Sequence, residues 1–307
     1  MSEGTSNPVV VLAGGTGGAK LARGMLDALG ADELVVIANT GDDIEIYGAY
    51  VSPDPDLITF WLADRVDERG WGLAGDTFNT MDGLRDIGVD VWFNLGDRDL
   101  AIGLERARAL SDGVRLTDAH AAIAKALGVG AAVVPMSDHP VRTWVLKNGT
   151  WWPIQEFLIK GRGEGPVEGV DFRGAAEASA TAEALDAVAH ARAIVIGPSN
   201  PVISIGPILA LPVLRKALID ARAPVVAVSP LVAGKVVKGP TEPFMEWTGR
   251  PLTSTGIATL YKDVLDGLVA DERTAAVPVL ETDVMMDSAD ARARVAEETL
   301  RFADALG

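Results

Sequence analysis

Val9-Val10-Val11-Leu12-Ala13-Gly14-Gly15-Thr16-Gly17-Gly18-Ala19-Lys20 joins an unbroken apolar run to four glycines and then to a helix-forming stretch. An apolar run without polar alternation suits a strand buried on both faces. Glycines allow the next backbone segment to turn sharply and approach an anion, while a new helix offers unpaired N–H groups. The unit reads as strand, glycine turn and helix, and its two possible uses are phosphate contact and tight packing. It is not a dinucleotide fingerprint: with Gly15 and Gly17 as the first two glycines, Lys20 stands where the third belongs. No Gly-Lys-Ser/Thr ending makes it a P-loop.

Similar short β-branched runs recur at Leu34–Ala38, Val91–Phe93, Ala132–Val134, Ile194–Ile196 and Val225–Val228, with Val277–Leu280 as a later candidate. Helical stretches lie between several of them. Gly18–Leu29 follows the first run, Thr117 caps a stretch ending before Gly128, Thr181–Ala191 precedes the fifth run, and Ile208–Ala221 follows it. Alternation of this kind predicts an α/β fold, a Rossmann-like, mostly parallel sheet flanked by helices on both faces. Asn148-Gly149, between Trp144-Val145-Leu146 and Trp151-Trp152, predicts a type I′ hairpin, an antiparallel insertion at about 140–160. Gly161–Gly174 reads as a connecting loop, and Ser288 as the N-cap of a last helix with Val295, Thr299, Phe302 and Leu306 on one face. No linker divides the chain, so residues 1–307 are expected to form one elaborated domain.

Composition narrows the chemistry. With 27 Lys+Arg against 43 Asp+Glu, the net charge of −16 would repel a nucleic-acid backbone, though not a small phosphate held by local dipoles or a metal. The chain has no cysteine, which excludes disulfides, thiol nucleophiles and thiolate metal sites, and its His120, His139 and His190 lack metal-ligand spacing. Met1–Asn7 is polar without a signal pattern, and no long apolar run suggests a membrane span, so the expected location is the cytoplasm.

The remaining signals sit after strand-like runs, where open α/β sheets bind ligands. Asn39-Thr40-Gly41-Asp42-Asp43 follows the second run, and Ser52-Pro53-Asp54-Pro55-Asp56 comes next. Carboxylates so close together suit a hard cation such as Mg²⁺, which joins one or two carboxylates to substrate phosphates; solvated turn residues would look the same. Further polar loops are Gly75-Asp76-Thr77-Phe78, Leu95-Gly96-Asp97-Arg98-Asp99-Leu100-Ala101, Pro135-Met136-Ser137-Asp138, Gly197-Pro198-Ser199-Asn200-Pro201 with Ser204-Ile205-Gly206-Pro207, and Ser229-Pro230.

Taken in order, these segments, with Gly70-Trp71-Gly72, resemble the 2-phospho-L-lactate transferase family of coenzyme F420 biosynthesis. The resemblance implies a Mg²⁺-dependent transferase. Its donor would be a guanosine diphosphate ester of a three-carbon acid (phospholactate, phosphoenolpyruvate or phosphoglycerate). Its acceptor would be the ribityl hydroxyl of 7,8-didemethyl-8-hydroxy-5-deazariboflavin, with GMP released. It further implies a metal held by Asp43, Asp54 and Asp56, catalytic roles for Asp43 and Asp56, and a diphosphate near Gly15, Thr16, Gly17, Gly18 and Lys20. Asn39, Asp42, Thr77, Asp97, Arg98, Asp99, Ser199, Asn200 and Ser204 would hold the two substrates. After Leu100-Ala101 the chain has Ile102-Gly103 where the family commonly has a small polar residue and His, so no His role carries over.

The alternative is a non-catalytic nucleotide-sugar-binding regulator, like the gluconeogenesis-factor relatives that share the fold and glycine turn. A generic dehydrogenase is disfavoured by the missing third glycine. A homodimer is expected from the resemblance and from the aromatic hairpin. Asp56 is expected to face solvent at a strand end, so that Asp56→Asn would cost activity and spare the fold.

Overall fold

The computed structural model describes residues 7–307, so the polar segment before Asn7 lies outside the described residues. Strand β1 (Val9–Ala13) leads into α1 (Gly15–Leu29) and β2 (Leu34–Ala38). A short hairpin of β3 (Ile44–Ile46) and β4 (Ala49–Val51) precedes α2 (Pro53–Leu62), α3 (Asn79–Asp86), α4 (Asp97–Ser111) and α5 (Leu116–Ala126). Then come β5 (Ala132–Pro135), β6 (Arg142–Lys147), β7 (Thr150–Pro153), α6 (Ile154–Ile159) and β8 (Gly169–Arg173). The second half begins with α7 (Ala182–His190), β9 (Ala193–Ile196), α8 (Gly206–Leu209), α9 (Pro212–Ile219) and β10 (Val225–Val228). It ends with β11 (Leu231–Val232), β12 (Lys235–Val236), α10 (Thr241–Trp247), α11 (Ser254–Leu260), β13 (Gly267–Ala270), β14 (Val279–Glu281) and α12 (Ala289–Leu306).

A seven-stranded sheet in the order β14-β13-β10-β9-β1-β2-β5 is parallel throughout, with Val9 opposite Leu34 on one side and Ala193 on the other. Alternate side chains of one strand serve opposite faces. Val10 and Leu12 join Ile194, Ile196, Leu214 and Ile257 in one core cluster, while Val9, Val11 and Ala13 join Leu21, Met25, Ile58 and Val295 in the other. Helices therefore cover both faces, and the fold is α/β and Rossmann-like. Because β1 continues to β2 through α1 while β9 lies on its other side, the sheet's topological switch point falls between β1 and β9.

Several expected boundaries move. Val91–Phe93 is not a strand: Val91 and Phe93 pack against Met81, Leu95 and Leu100, and the run has no ladder partner among the described residues. Helix α1 begins at Gly15 rather than Gly18, so the glycines form its first turn. Asp138 satisfies the start of α5, taking the Thr117 N–H at 2.9 Å and its hydroxyl at 2.7 Å; Thr117 itself lies inside the helix. Pro212 divides Ile208–Ala221 into α8 and α9, since the residue before a proline disfavours helical backbone. The later candidate Val277–Leu280 shifts to β14, and β13 forms from a short Gly-Leu-Val-Ala run buried between β10 and β14.

The hairpin forms as expected, with Asn148 and Gly149 at φ of 51° and 68°. A third strand, β8, pairs with β6 from within the segment read as a loop. Its alternation Val170-Asp171-Phe172-Arg173 supplies the period of two that the glycines around it obscure. Trp152 packs on a cluster containing Val145, Ile154 and Phe157, and the Arg173 guanidinium lies 3.8 Å from the Trp144 ring centroid. Much of the aromatic hairpin surface is thus covered by the chain itself. Ser288 caps its helix as read, accepting from the Ala291 N–H, and Thr181, read as the first residue of its helix, is instead the cap of α7 and accepts from the Ala184 N–H. Among the described residues no helix is long and apolar enough to cross a membrane.

Candidate active site

The glycine turn is built for close approach. Gly14 N–H donates to Ser199 Oγ at 3.2 Å, tying the end of β1 to the loop after β9. A Cβ on Gly17 would collide with the carbonyl oxygen of Pro198, and one on Gly18 would stand 2.6 Å from Ser199 Oγ. Gly15, at φ +61°, donates its N–H to Asp54 Oδ1 at 2.7 Å, so a carboxylate already occupies the first N–H of α1. Thr16 and Gly17 remain on the wall of a cavity of about 170 Å³, together with Lys20, Asn200 and Lys238. Gly17→Ala should destabilise the fold by roughly 1–3 kcal/mol, the usual effect of overpacking. A urea midpoint matching that of the parent would show that the Pro198 loop yields.

The carboxylates separate into distinct environments. Asn39 Nδ2 donates to Asp54 Oδ2 at 2.8 Å and to Asp42 Oδ1 at 3.1 Å, while its own Oδ1 accepts from the Gly41 N–H. Burial first, and then the Asp54 charge, push the Asp42 carboxyl well above its ordinary range; burial also raises that of Asp54. Asp43 turns instead to the hydroxyls of Ser52 (2.7 Å) and Tyr50 (3.0 Å), and burial pushes its carboxyl up to about 7. Asp56 faces a third way, into a bidentate pair with the fully buried Arg106 at 2.5 and 3.0 Å. Behind Arg106 lies buried His120, whose Nε2 is 3.1 Å from Thr59 Oγ1; burial and the Arg106 charge push the imidazole down to about 4, so it is neutral.

Asp43, Asp54 and Asp56 therefore do not form one ligand set, and among the described residues no group of three His, Asp or Glu side chains is placed to hold a metal. The pair brought together is Asp42 and Asp54, through a shared amide. Both Asp54 and Asp56 lie in the first turn of α2, because Pro53 starts that helix, and neither is a solvent-facing strand-end residue.

A second cavity, of about 180 Å³, is bordered by Asp54 and Asp56. Phe60, Trp71, Phe93 and Leu95 supply apolar walls, and Asp99, Asn94 and Gln155 supply polar ones. Gln155 also donates to the Asp42 carbonyl at 3.2 Å. The loops carrying Thr77 and Asp97 brace each other. Asp97 accepts from Thr77 Oγ1 at 2.6 Å and from the Asn79 and Thr80 N–H groups, capping α3; these bonds hold its carboxyl below the usual range. Asp76 in turn accepts from the Arg98 and Asp99 N–H groups at the start of α4. Thr77 and Asp97 thus shape the wall, and Arg98 lies in a separate groove with Arg65, Leu73 and Leu127.

Near the first cavity, Ser199 and Ser204 are buried beside Gly14, and Asn200 Oδ1 accepts from the Val202 and Ile203 N–H groups. Lys20 Nζ lies 5.9 Å from the Trp61 ring centroid, with Arg292 on the same ring at 5.3 Å. Burial, followed by the charges of Arg292 and Lys238, lowers the Lys20 pKa. Sequence reading missed Arg106, Lys238, Arg292, Gln155 and Arg142, whose Nη2 donates to the Tyr50 hydroxyl at 3.1 Å beside Asp43. Of these, only Lys238, beside Gly239-Pro240 in a glycine-rich loop after a strand, carried a local signal.

A parallel α/β sheet flanked by helices, with a crevice at its switch point that carries Lys20 and Lys238, defines a protein of the Rossmann-like class. More particularly, the chain belongs to the 2-phospho-L-lactate transferase family: residues 9–301 match the family described as 2-phospho-L-lactate transferase CofD. It is 39% identical over 269 residues to a 2-phospho-L-lactate transferase of Methanosarcina mazei, covering 87% of this chain and 88% of that one. It is 36% identical over 312 residues to a phosphoenolpyruvate transferase of Streptomyces coelicolor, covering 96% and 98%. A solved structure of a upf0052-family protein from Bacillus halodurans shares the fold, with a TM-score of 0.61 at 16% identity, covering 97% of this chain and 100% of that one.

Proposed function

We propose that the protein transfers a phospho-three-carbon-acid group from its guanosine diphosphate ester to the terminal ribityl hydroxyl of 7,8-didemethyl-8-hydroxy-5-deazariboflavin, releasing GMP. The observation that carries this reading is the position of Asp54, which lines the aromatic cavity and bonds Gly15 beside the cationic one. In this assignment the cavity with Lys20 and Lys238 takes the anionic donor, and the cavity walled by Phe60, Trp71 and Phe93 takes the flat deazaflavin.

The Asp42–Asp54 pair fits a Mg²⁺ ion: two buried carboxylates share one amide donor, burial raises both carboxyls, and the Asp54 charge adds to the shift of Asp42. When bound there, Mg²⁺ would neutralise the donor diphosphate and the charge developing on GMP. The chain's own contribution is positioning. Asn39 fixes both carboxylates, Lys20 and Lys238 attract the diphosphate, and the brace between the Thr77 and Asp97 loops holds the acceptor wall. Three-carbon donors differing only at the acid carbons would meet the same groups.

Incubation with the deazaflavin, each guanylylated phosphoacid and Mg²⁺ should give GMP and a phosphorylated deazaflavin with at least one acid. Absence of product with phospholactate, phosphoenolpyruvate and phosphoglycerate alike would remove the reading. A homodimer belongs to the same proposal, and light scattering that gave the monomer mass at micromolar concentration would remove it.

A further inference from the structure

We propose that Asp99 is the catalytic base that takes the proton from the acceptor hydroxyl, an assignment that rests on the transferase reading above. Three neighbouring carboxylates are already committed to partners within the protein. Asp56 is held bidentately by Arg106, Asp54 accepts from Gly15 and Asn39, and Asp43 accepts from Ser52 and Tyr50. Asp99 lines the aromatic cavity, and its Oδ1 is buried with no hydrogen-bond donor. A buried acceptor left unpaired costs stability, so its retention needs a reason, and a substrate hydroxyl is one.

The main chain at Asp99 is fixed, because its N–H donates to Asp76 Oδ2 at 3.2 Å in the first turn of α4. Burial, followed by the negative charges of Asp56 and Asp76, pushes the Asp99 carboxyl up to about 7, while the Leu73 N–H and the Arg69 charge oppose the shift. A base is most useful when its pKa lies near the working pH. In the proposed step the ribityl O–H proton passes to the Asp99 carboxylate as the new O–P bond forms at the phosphorus bearing the three-carbon acid. The P–O bond to GMP breaks, GMP leaves with the electron pair, and Asp99 returns its proton to water.

Asp99→Asn keeps the shape and removes the base. Turnover should fall by roughly 10²- to 10⁴-fold, the usual contribution of general base catalysis. The KM for the deazaflavin should stay within about threefold, and the break in the kcat/KM profile near pH 7 should vanish. Deazaflavin affinity, read by its own fluorescence, should be unchanged. Asp99→Ala should regain part of the lost turnover with added formate, which the parent enzyme should ignore.

Unchanged kcat and pH profile in Asp99→Asn would overturn the assignment. So would a loss confined to deazaflavin affinity, which would make Asp99 a recognition residue. If Asp99→Asn fails to fold, formate rescue of Asp99→Ala decides: rescue supports the base and its absence overturns it. A parent protein that forms no product defeats the transferase reading itself, whereas an active parent with an insensitive Asp99 defeats only this inference.

Discussion

Asp56→Asn is expected to lower the unfolding free energy by about 3–5 kcal/mol, the usual effect of removing one partner from a buried ion pair. Arg106 is 0% exposed, and both its Nη atoms bond Asp56, with Nη1 also donating to the Tyr50 carbonyl at 3.0 Å. An amide leaves the buried guanidinium with only the weaker influence of the Asp43 charge, and neutral His120 cannot make up the difference. Urea denaturation would measure the loss directly. Arg106→Met in the same background should recover part of it, since the stranded charge is then removed as well. A single variant within about 1 kcal/mol of the parent would mean that water reaches Arg106 when Asp56 is gone. The expectation that this substitution would spare the fold is thus reversed by the burial of Asp56.

The difference between sheet and site explains what the amino-acid sequence made legible. Strands such as Val9–Ala13 and Leu34–Ala38 are buried on both faces, which demands unbroken apolar runs that any reader can find. Val91–Phe93 has the same composition, but it closes a small cluster beside α3 and α4, and a local run does not say whether a ladder partner exists. The sequence grouped Asp43, Asp54 and Asp56, but the structure joins Asp42 and Asp54 through Asn39: the Asn39–Asp43 segment leaves the carboxyl end of β2, whereas Ser52–Asp56 follows the separate β3–β4 hairpin, whose geometry no local pattern reveals. The Asp56–Arg106 pair was not legible either. Arg106 stands in Glu105-Arg106-Ala107-Arg108, which reads as a charged, solvated helix face, and Arg108 does behave that way by pairing with Glu105 and Asp112. Only the packing of α4 on β4 selects Arg106 for burial, as Gly103 allows by lying against Ala49 and Tyr50.

Asp54→Asn should separate chemistry from stability in the opposite sense. Asp54 and Asp56 both border the aromatic cavity from the first turn of α2, but their carboxylates are bonded to different partners. Asp54 meets the glycine turn and Asn39, whereas Asp56 meets Arg106 on α4. No fixed cation holds Asp54, so removing its charge leaves none stranded, and the repulsion it exerts on Asp42 is relieved. The amide oxygen can still accept from Gly15 N–H. Stability should therefore stay within about 1 kcal/mol of the parent at pH 7, the net worth of the one hydrogen bond to Asn39 that is lost. Turnover should fall on the order of a hundredfold or more, because the proposed Mg²⁺ site loses one of its two carboxylates and the diphosphate loses its counter-charge in a strongly acidic protein. Deazaflavin affinity should change little, since Phe60, Trp71 and Phe93 are untouched. Steady-state rates across a Mg²⁺ titration, beside a urea melt of the same preparation, would test both halves at once. A stable Asp54→Asn protein with parental turnover and parental Mg²⁺ dependence would remove Asp54 from the metal site, and the paired carboxylates would then owe their closeness to Asn39 and the glycine turn alone.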